Sequence, residues 1–71
     1  MTLTNREIAL FARDAVRQEI RTERDRATVA NWATCQYGPA QQDMRESGFR
    51  ITKRVRDVLW SELERISREG L

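Results

Sequence analysis

Apolar residues recur at helical spacing in two separate stretches of this chain, and this periodicity constrains its fold more than any other feature. The first stretch carries Ile8, Phe11, Ala12, Ala15, Val16 and Ile20. The second carries Val55, Val58, Leu59, Leu63 and Ile66. Side chains three and four positions apart share one face of an α-helix, so each stretch predicts one amphipathic helix. Only Phe49-Arg50-Ile51 resembles a strand, and it is too short to carry a sheet.

The first helix has a clear start and a less regular end. Thr4 and Glu7 fit a capping box, in which each side chain accepts a hydrogen bond from the other residue's amide. Further along, Glu19 and Glu23 fall on the apolar face, so the stripe fades. A second apolar group lies at another angle: Val29, Trp32, Ala33 and Tyr37. We therefore expect a long N-terminal helix with a bend near Arg26 to Thr28.

Two glycine signals divide the rest of the chain. The Gly38-Pro39 dipeptide predicts a break, with Pro39 at the first position of a short helix because proline lacks an amide proton. That helix is expected over about Pro39 to Ser47. Gly48 would end it in a Schellman motif, with Phe49 packed on Met44.

Thr52 is the predicted N-cap of the last helix, which is expected to run to about Glu69. The sequence thus predicts one small all-α domain of three to four helices over residues 1–71. A chain of 71 residues builds a small core and is only marginally stable alone. We therefore expect it to form a homodimer.

The composition argues against catalysis and bound metals. The chain has no histidine and one cysteine, so the usual zinc ligand sets cannot be assembled within it. The same shortage leaves Cys35 without a histidine base, and its place beside Trp32 predicts a small buried residue. Its dispersed carboxylates do not suggest a catalytic pair. We expect no enzyme activity and no cofactor.

The apolar segments are also too short for a membrane protein. The longest uninterrupted run is Ile8 to Ala12, far below the length that spans a bilayer. The pattern of a secretory signal peptide is missing as well. The lone cysteine fits a reducing compartment. These features together predict a cytoplasmic protein with no membrane association.

The most informative segment for function is Met44 to Arg56, which carries +4 while the whole chain carries +2. The segment contains a single acid, Glu46. Its cations are Arg45, Arg50, Lys53, Arg54 and Arg56. The helix dipole favours acids rather than cations at a helix start. Local helix stability therefore does not explain this charge, whereas a phosphate-bearing partner would.

The spacing of Met44, Gly48, Val55 and Val58 in this segment resembles the helix-turn-helix pattern of a small residue, a turn glycine and two buried aliphatics. It departs from the pattern because the turn is one residue longer and methionine replaces the usual alanine. The resemblance implies a groove-facing helix start carrying Thr52, Lys53, Arg54 and Arg56. Base reading would then fall to Lys53, Arg54 or Arg56, and Arg45 and Arg50 would clamp phosphates. The alternative is an ordinary C-cap glycine followed by a solvated face.

A second hypothesis starts from residues that fit poorly in an isolated monomer. Trp60 lies off the apolar stripe near Leu63, and Glu62 lies inside the stripe, where it needs an arginine partner or an interface edge. On the first helix, arginines project from one angle, with Arg21 close by: Arg6, Arg13, Arg17 and Arg24. These features suggest a homodimeric inhibitor or adaptor of the phage or plasmid accessory type. The alternatives are a Trp60 that packs on a neighbouring helix and a solvated arginine face neutralised by nearby acids.

Overall fold

The computed structural model describes residues 2–22 and 32–71 of the chain. Within these residues the protein is helical and has no strands, so the predicted all-α fold is confirmed. The elements are α1 (Asn5–Thr22), a 3-10 helix η1 (Ala33–Gln36), α2 (Tyr37–Glu46) and α3 (Lys53–Glu69). The predicted bend near Arg26 to Thr28, together with Glu23, Arg24 and Val29, lies outside the described residues.

The core forms where these four elements meet, and every pair of them is in contact. The most extensive contact joins α1 and α3, the two helices with amphipathic stripes. Both stripes are buried there as predicted, apart from Phe11, Ile20 and Val58, which are half-buried at the edge of the core. Four buried hydrophobic residues outside the predicted stripes complete the core: Leu3, Ala33, Ala40 and Met44.

The start of α1 is held by the predicted capping box. The Thr4 amide donates to Glu7 Oε1 at 3.0 Å, and the Glu7 amide donates to Thr4 Oγ1 at 3.1 Å. The backbone hydrogen bond from Thr4, with a smaller contribution from its side chain, lowers the pKa of the Glu7 carboxyl. These bonds satisfy amides that have no partner inside the helix.

The start of α2 differs from the prediction. The helix begins at Tyr37 and ends at Glu46, so Pro39 is its third residue rather than its first. The reason is that the first four amides of any helix lack an internal acceptor, and proline therefore loses no hydrogen bond anywhere in the first turn. Because η1 leads directly into α2, the helix starts before the Gly-Pro pair.

The turn after α2 has the predicted backbone conformation. Gly48 has a φ of 90°. Its amide donates to the Arg45 carbonyl at 2.9 Å, and the Phe49 amide donates to the Met44 carbonyl at 3.0 Å. This pair of bonds is the Schellman motif. The predicted cap of α3 is also confirmed, because the Val55 amide donates to Thr52 Oγ1 at 3.3 Å.

Replacing Gly48 and Gly38 with alanine is expected to change stability in opposite directions. A Cβ at either position would meet no atom within 4 Å, so crowding does not distinguish them. Gly48→Ala forces a side chain into the left-handed region and is expected to lower the free energy of unfolding by about 1–2 kcal/mol. Gly38 lies in α2 without a positive φ, so Gly38→Ala is expected to raise it by about 0.4–1 kcal/mol. Urea denaturation of both variants measures this, and changes of the same sign would contradict it.

Candidate nucleic-acid interface

The basic segment spans the end of α2, the connection of residues 47–52 and the start of α3. The Schellman motif and the Thr52 cap fix the backbone at both ends of this connection. Its six residues exceed the three or four that join the helices of a helix-turn-helix. The connection that carries these cations is therefore longer than the turn of a helix-turn-helix.

Arg54 is bound within the fold. Its Nη1 donates to Asn5 Oδ1 at 2.6 Å, and its Nη2 donates to the backbone carbonyl of Leu3. These partners lie at the start of α1, and Leu3 is buried in the core. Both terminal nitrogens of the guanidinium therefore join α3 to α1. Two of its five N–H donors are thus engaged within the fold. The residue is exposed, so the prediction that Arg54 contacts nucleic acid stays a prediction, and a ligand would compete with these partners.

Lys53 forms an exposed ion pair that a phosphate group could replace. Its Nζ lies 2.8 Å from Asp57 Oδ2, one helical turn further along α3. The two side chains are 84% and 64% exposed, and such surface pairs contribute at most about 1 kcal/mol. Thr52 is also exposed, but its hydroxyl oxygen accepts the capping bond of α3.

Three residues predicted to contact nucleic acid remain available: Arg45 and Arg50, predicted to clamp phosphates, and Arg56, predicted to read bases. All three side chains are exposed. None of them has an ion pair or hydrogen bond with the residues that the structure describes. Arg45 also lies in the last turn of α2, where a cation complements the helix dipole. The usable charge of the segment therefore lies in these three arginines, with Lys53 beside them.

The cations at the start of α3 separate onto two flanks of the helix. At 3.6 residues per turn, Arg56 is about 40° from Trp60 around the axis, and Lys53 is about 20° from it. Arg54 is roughly 160° from Arg56 on the same count. One flank therefore meets the start of α1 through Arg54. The other carries Lys53, Arg56 and Trp60, and we name it the Trp60 face.

Trp60 is both packed and exposed. Its ring lies 5.3 Å from the ring of Tyr37 at an interplanar angle of 89°, which is an edge-to-face contact. The side chain nevertheless keeps 43% of its surface exposed. From the sequence, Trp60 could either pack on a neighbouring helix or be exposed to a partner. In the structure it packs on Tyr37 and also remains partly exposed.

Two residues predicted from sequence for a protein interface have other roles in the structure. Leu63 is fully buried in the core and cannot reach a partner, so its predicted place in an interface is wrong. Glu62 forms an ion pair with Arg65 at 2.7 Å, which supplies the arginine partner that its position required. The fold accounts for the positions of both residues.

The arginine face of α1 is only partly described. Arg6 and Arg17 are exposed, Arg13 is half-buried, and Arg24 lies outside the described residues. Arg17 lies 3.7 Å from Asp14 in an exposed ion pair. This pair agrees with the local neutralisation that the sequence offered as an alternative for this face.

Cys35 is exposed, so its predicted burial is wrong. The prediction assumed α-helical spacing, but the residue lies in η1. With three residues per turn, a 3-10 helix places Cys35 above Trp32, which is itself 64% exposed. Ala33 takes the inward position instead.

Shallow grooves of about 300 Å³ each lie on the described part of the chain, and two of them border α1. One is lined by Glu7, Leu10, Phe11, Asp14, Ser47 and Phe49. The other is lined by Ala15, Gln18, Glu19, Gln36, Pro39 and Asp43. In the described part of the chain, no cluster of histidine, cysteine and carboxylate side chains is arranged to hold a metal ion.

None of the helices in residues 2–22 and 32–71 combines the length and apolar character that crossing a membrane requires. No protein-family model matches this chain, and neither does any curated protein or solved structure.

Proposed function

We propose that this protein is a small, non-enzymatic regulator that binds nucleic acid through the basic surface between α2 and α3. The observation that supports this proposal is the set of three exposed arginines without a described acidic partner: Arg45, Arg50 and Arg56. Guanidinium groups bind phosphate oxygens through paired hydrogen bonds. Phosphate contacts of this kind supply most non-specific affinity for nucleic acid.

The distribution of charge also favours a phosphate-bearing ligand at this place. The segment Met44 to Arg56 has a net charge of +4, whereas the whole chain has a net charge of +2. The rest of the chain is therefore net negative. A polyanion is therefore attracted to one region of the molecule rather than to its whole surface. Lys53 adds to this attraction because its exposed pair with Asp57 can open at little cost.

The test compares two variants that each lose three positive charges. One replaces Arg45, Arg50 and Arg56 with alanine, and the matched control replaces Arg6, Arg17 and Arg68, which are also exposed. We expect the first variant to bind a 20-base-pair DNA duplex more weakly. Its slope of log K against log salt should be shallower by about 2.7, because each phosphate contact contributes about 0.9. Fluorescence anisotropy at several salt concentrations measures both quantities.

The control variant is expected to retain most of the salt dependence of the natural protein. Equal losses in the two variants would show that net charge alone matters, which would contradict a defined basic surface. If the natural protein binds neither duplex nor single-stranded DNA at low salt, the proposal fails.

A second candidate function is binding to a protein, either a partner or a second copy of this chain. The observation that favours it is the exposure of Trp60, because tryptophan is enriched among the residues that dominate binding energy in protein interfaces. In this case Trp60→Leu should dissociate a dimer or release a bound protein without loss of helix content. Titration with nucleic acids, combined with sedimentation of Trp60→Leu, distinguishes the two functions.

A further inference from the structure

We infer that the Trp60 face binds unpaired nucleobases, so that the preferred ligand is a single-stranded nucleic acid rather than an intact duplex. This inference rests on the proposed function and adds the class of ligand to it. Proteins that hold single strands combine cations along the backbone path with aromatic side chains on which bases stack. The Trp60 face has both components within two helical turns of α3.

The first component is an indole ring held in a defined orientation. Tyr37 contacts Trp60 edge to face, and such perpendicular contacts fix the relative orientation of two rings. Leu63, three residues further along α3, is fully buried, so the neighbouring position in the core is already filled. The exposed part of the indole is therefore a preorganised surface for a flat ligand, and little side-chain entropy is lost on binding.

The second component is the pair of cations before Trp60 on the same face. Arg56 precedes Trp60 by four residues, a spacing that places two Cβ atoms about 5–6 Å apart on a helix. Lys53 lies one turn further back and is exposed. A base stacked on Trp60 would thus have its phosphates within reach of Arg56 and Lys53. Glu64 lies one turn after Trp60 and is also exposed, so we expect the strand to run towards the start of α3.

The surroundings of Trp60 favour a nucleic acid over a protein. Protein interfaces are enriched in tryptophan and arginine but depleted of lysine, aspartate and glutamate. Trp60 instead lies between the exposed acids Asp57 and Glu64, one turn away on either side, and shares its face with the exposed Lys53. Its apolar neighbour Leu63 is buried and adds nothing to the exposed surface. The Trp60 face is therefore an aromatic ring set among charges rather than an apolar patch.

The experiment uses the fact that the chain has only two tryptophans. Trp32→Phe leaves Trp60 as the sole source of indole emission. This variant is titrated with single-stranded oligothymidylate, with a duplex of the same length and with inorganic polyphosphate. We expect oligothymidylate to quench Trp60 emission because the base stacks on the ring. Polyphosphate should compete for the cations without quenching, since it has no base.

Affinity measurements on a second set of variants complete the test. Trp60→Leu is expected to weaken binding of oligothymidylate by roughly 5- to 150-fold, the range for loss of one stacked base. Its affinity for the duplex should change by less than about twofold. Trp60→Phe should retain most of the affinity, and Trp32→Leu is the matched control for loss of an exposed indole. Circular dichroism checks that each variant remains helical.

The outcomes separate the inference from the proposed function. If Trp60→Leu binds oligothymidylate as tightly as the natural protein, or if the duplex binds more tightly than the single strand, the inference is overturned while nucleic-acid binding stands. If none of the three ligands binds at low salt and Trp60→Leu dissociates a dimer in sedimentation, both proposals fail in favour of a protein interface. Quenching by oligothymidylate with a selective loss in Trp60→Leu supports the inference.

Discussion

Replacing Leu63 with alanine is expected to lower the free energy of unfolding by about 2–5 kcal/mol, the range for large-to-small substitutions in a core. Leu63 is 0% exposed and lies on the α3 stripe that packs against α1. The deletion leaves a cavity that the surrounding helices can fill only in part. Because small domains are marginally stable, a loss of this size is expected to leave much of the protein unfolded at 25 °C.

Leu10→Ala is the matched control because it deletes the same atoms from a side chain that is 48% exposed. We expect that variant to differ from the natural protein by no more than about 0.5 kcal/mol. Urea denaturation followed by circular dichroism gives both values. Equal effects at the two positions would contradict the burial of Leu63. If Leu63→Ala prevented self-association without lowering the free energy of unfolding, Leu63 would belong to an interface instead.

Replacing Arg54 with methionine is expected to lower the free energy of unfolding by about 1–3 kcal/mol, because two hydrogen bonds with a net contribution of about 0.5–1.5 kcal/mol each are lost. Methionine keeps an unbranched apolar stem but removes the donors to Asn5 Oδ1 and to the Leu3 carbonyl. The loss therefore measures the hydrogen bonds between α3 and the start of α1 rather than the packing of the stem.

Arg56→Met is the control, because it makes the same chemical change two residues away. The Arg56 side chain has no ion pair or hydrogen bond with the described residues, so we expect a change of no more than about 0.5 kcal/mol. Its affinity for nucleic acid should fall by more than that of Arg54→Met, measured at temperatures where both variants remain folded. Denaturation and anisotropy on both variants measure these effects. A larger loss of stability in Arg56→Met would contradict the division of roles.

Local chemistry made most of the helix ends predictable. The capping box of Thr4 and Glu7, the turn at Gly48 and the cap at Thr52 all depend on residues within five positions of each other. The start of α2 and the exposure of Cys35 were missed because both follow from η1. A single turn of 3-10 helix has no periodic signal that distinguishes it from the start of an α-helix.

The candidate site was less predictable because its charges are assigned by tertiary contacts. Arg54 and Arg56 have the same chemistry in the sequence, and only the structure shows that Asn5 binds one of them from 49 positions away. The position of Trp60 at the edge of the stripe was visible in the helical pattern. Its contact with Tyr37 was not, since it depends on how α2 is placed against α3.

The hydrogen bonds of Arg54 connect residues 49 and 51 positions apart, so they close most of the described chain into one loop. Closing a long loop is entropically costly, and such contacts are expected to form after the local helices. An interaction absent from the transition state slows unfolding and leaves the folding rate unchanged. We therefore expect this bridge to determine how long the native domain persists rather than how quickly it forms.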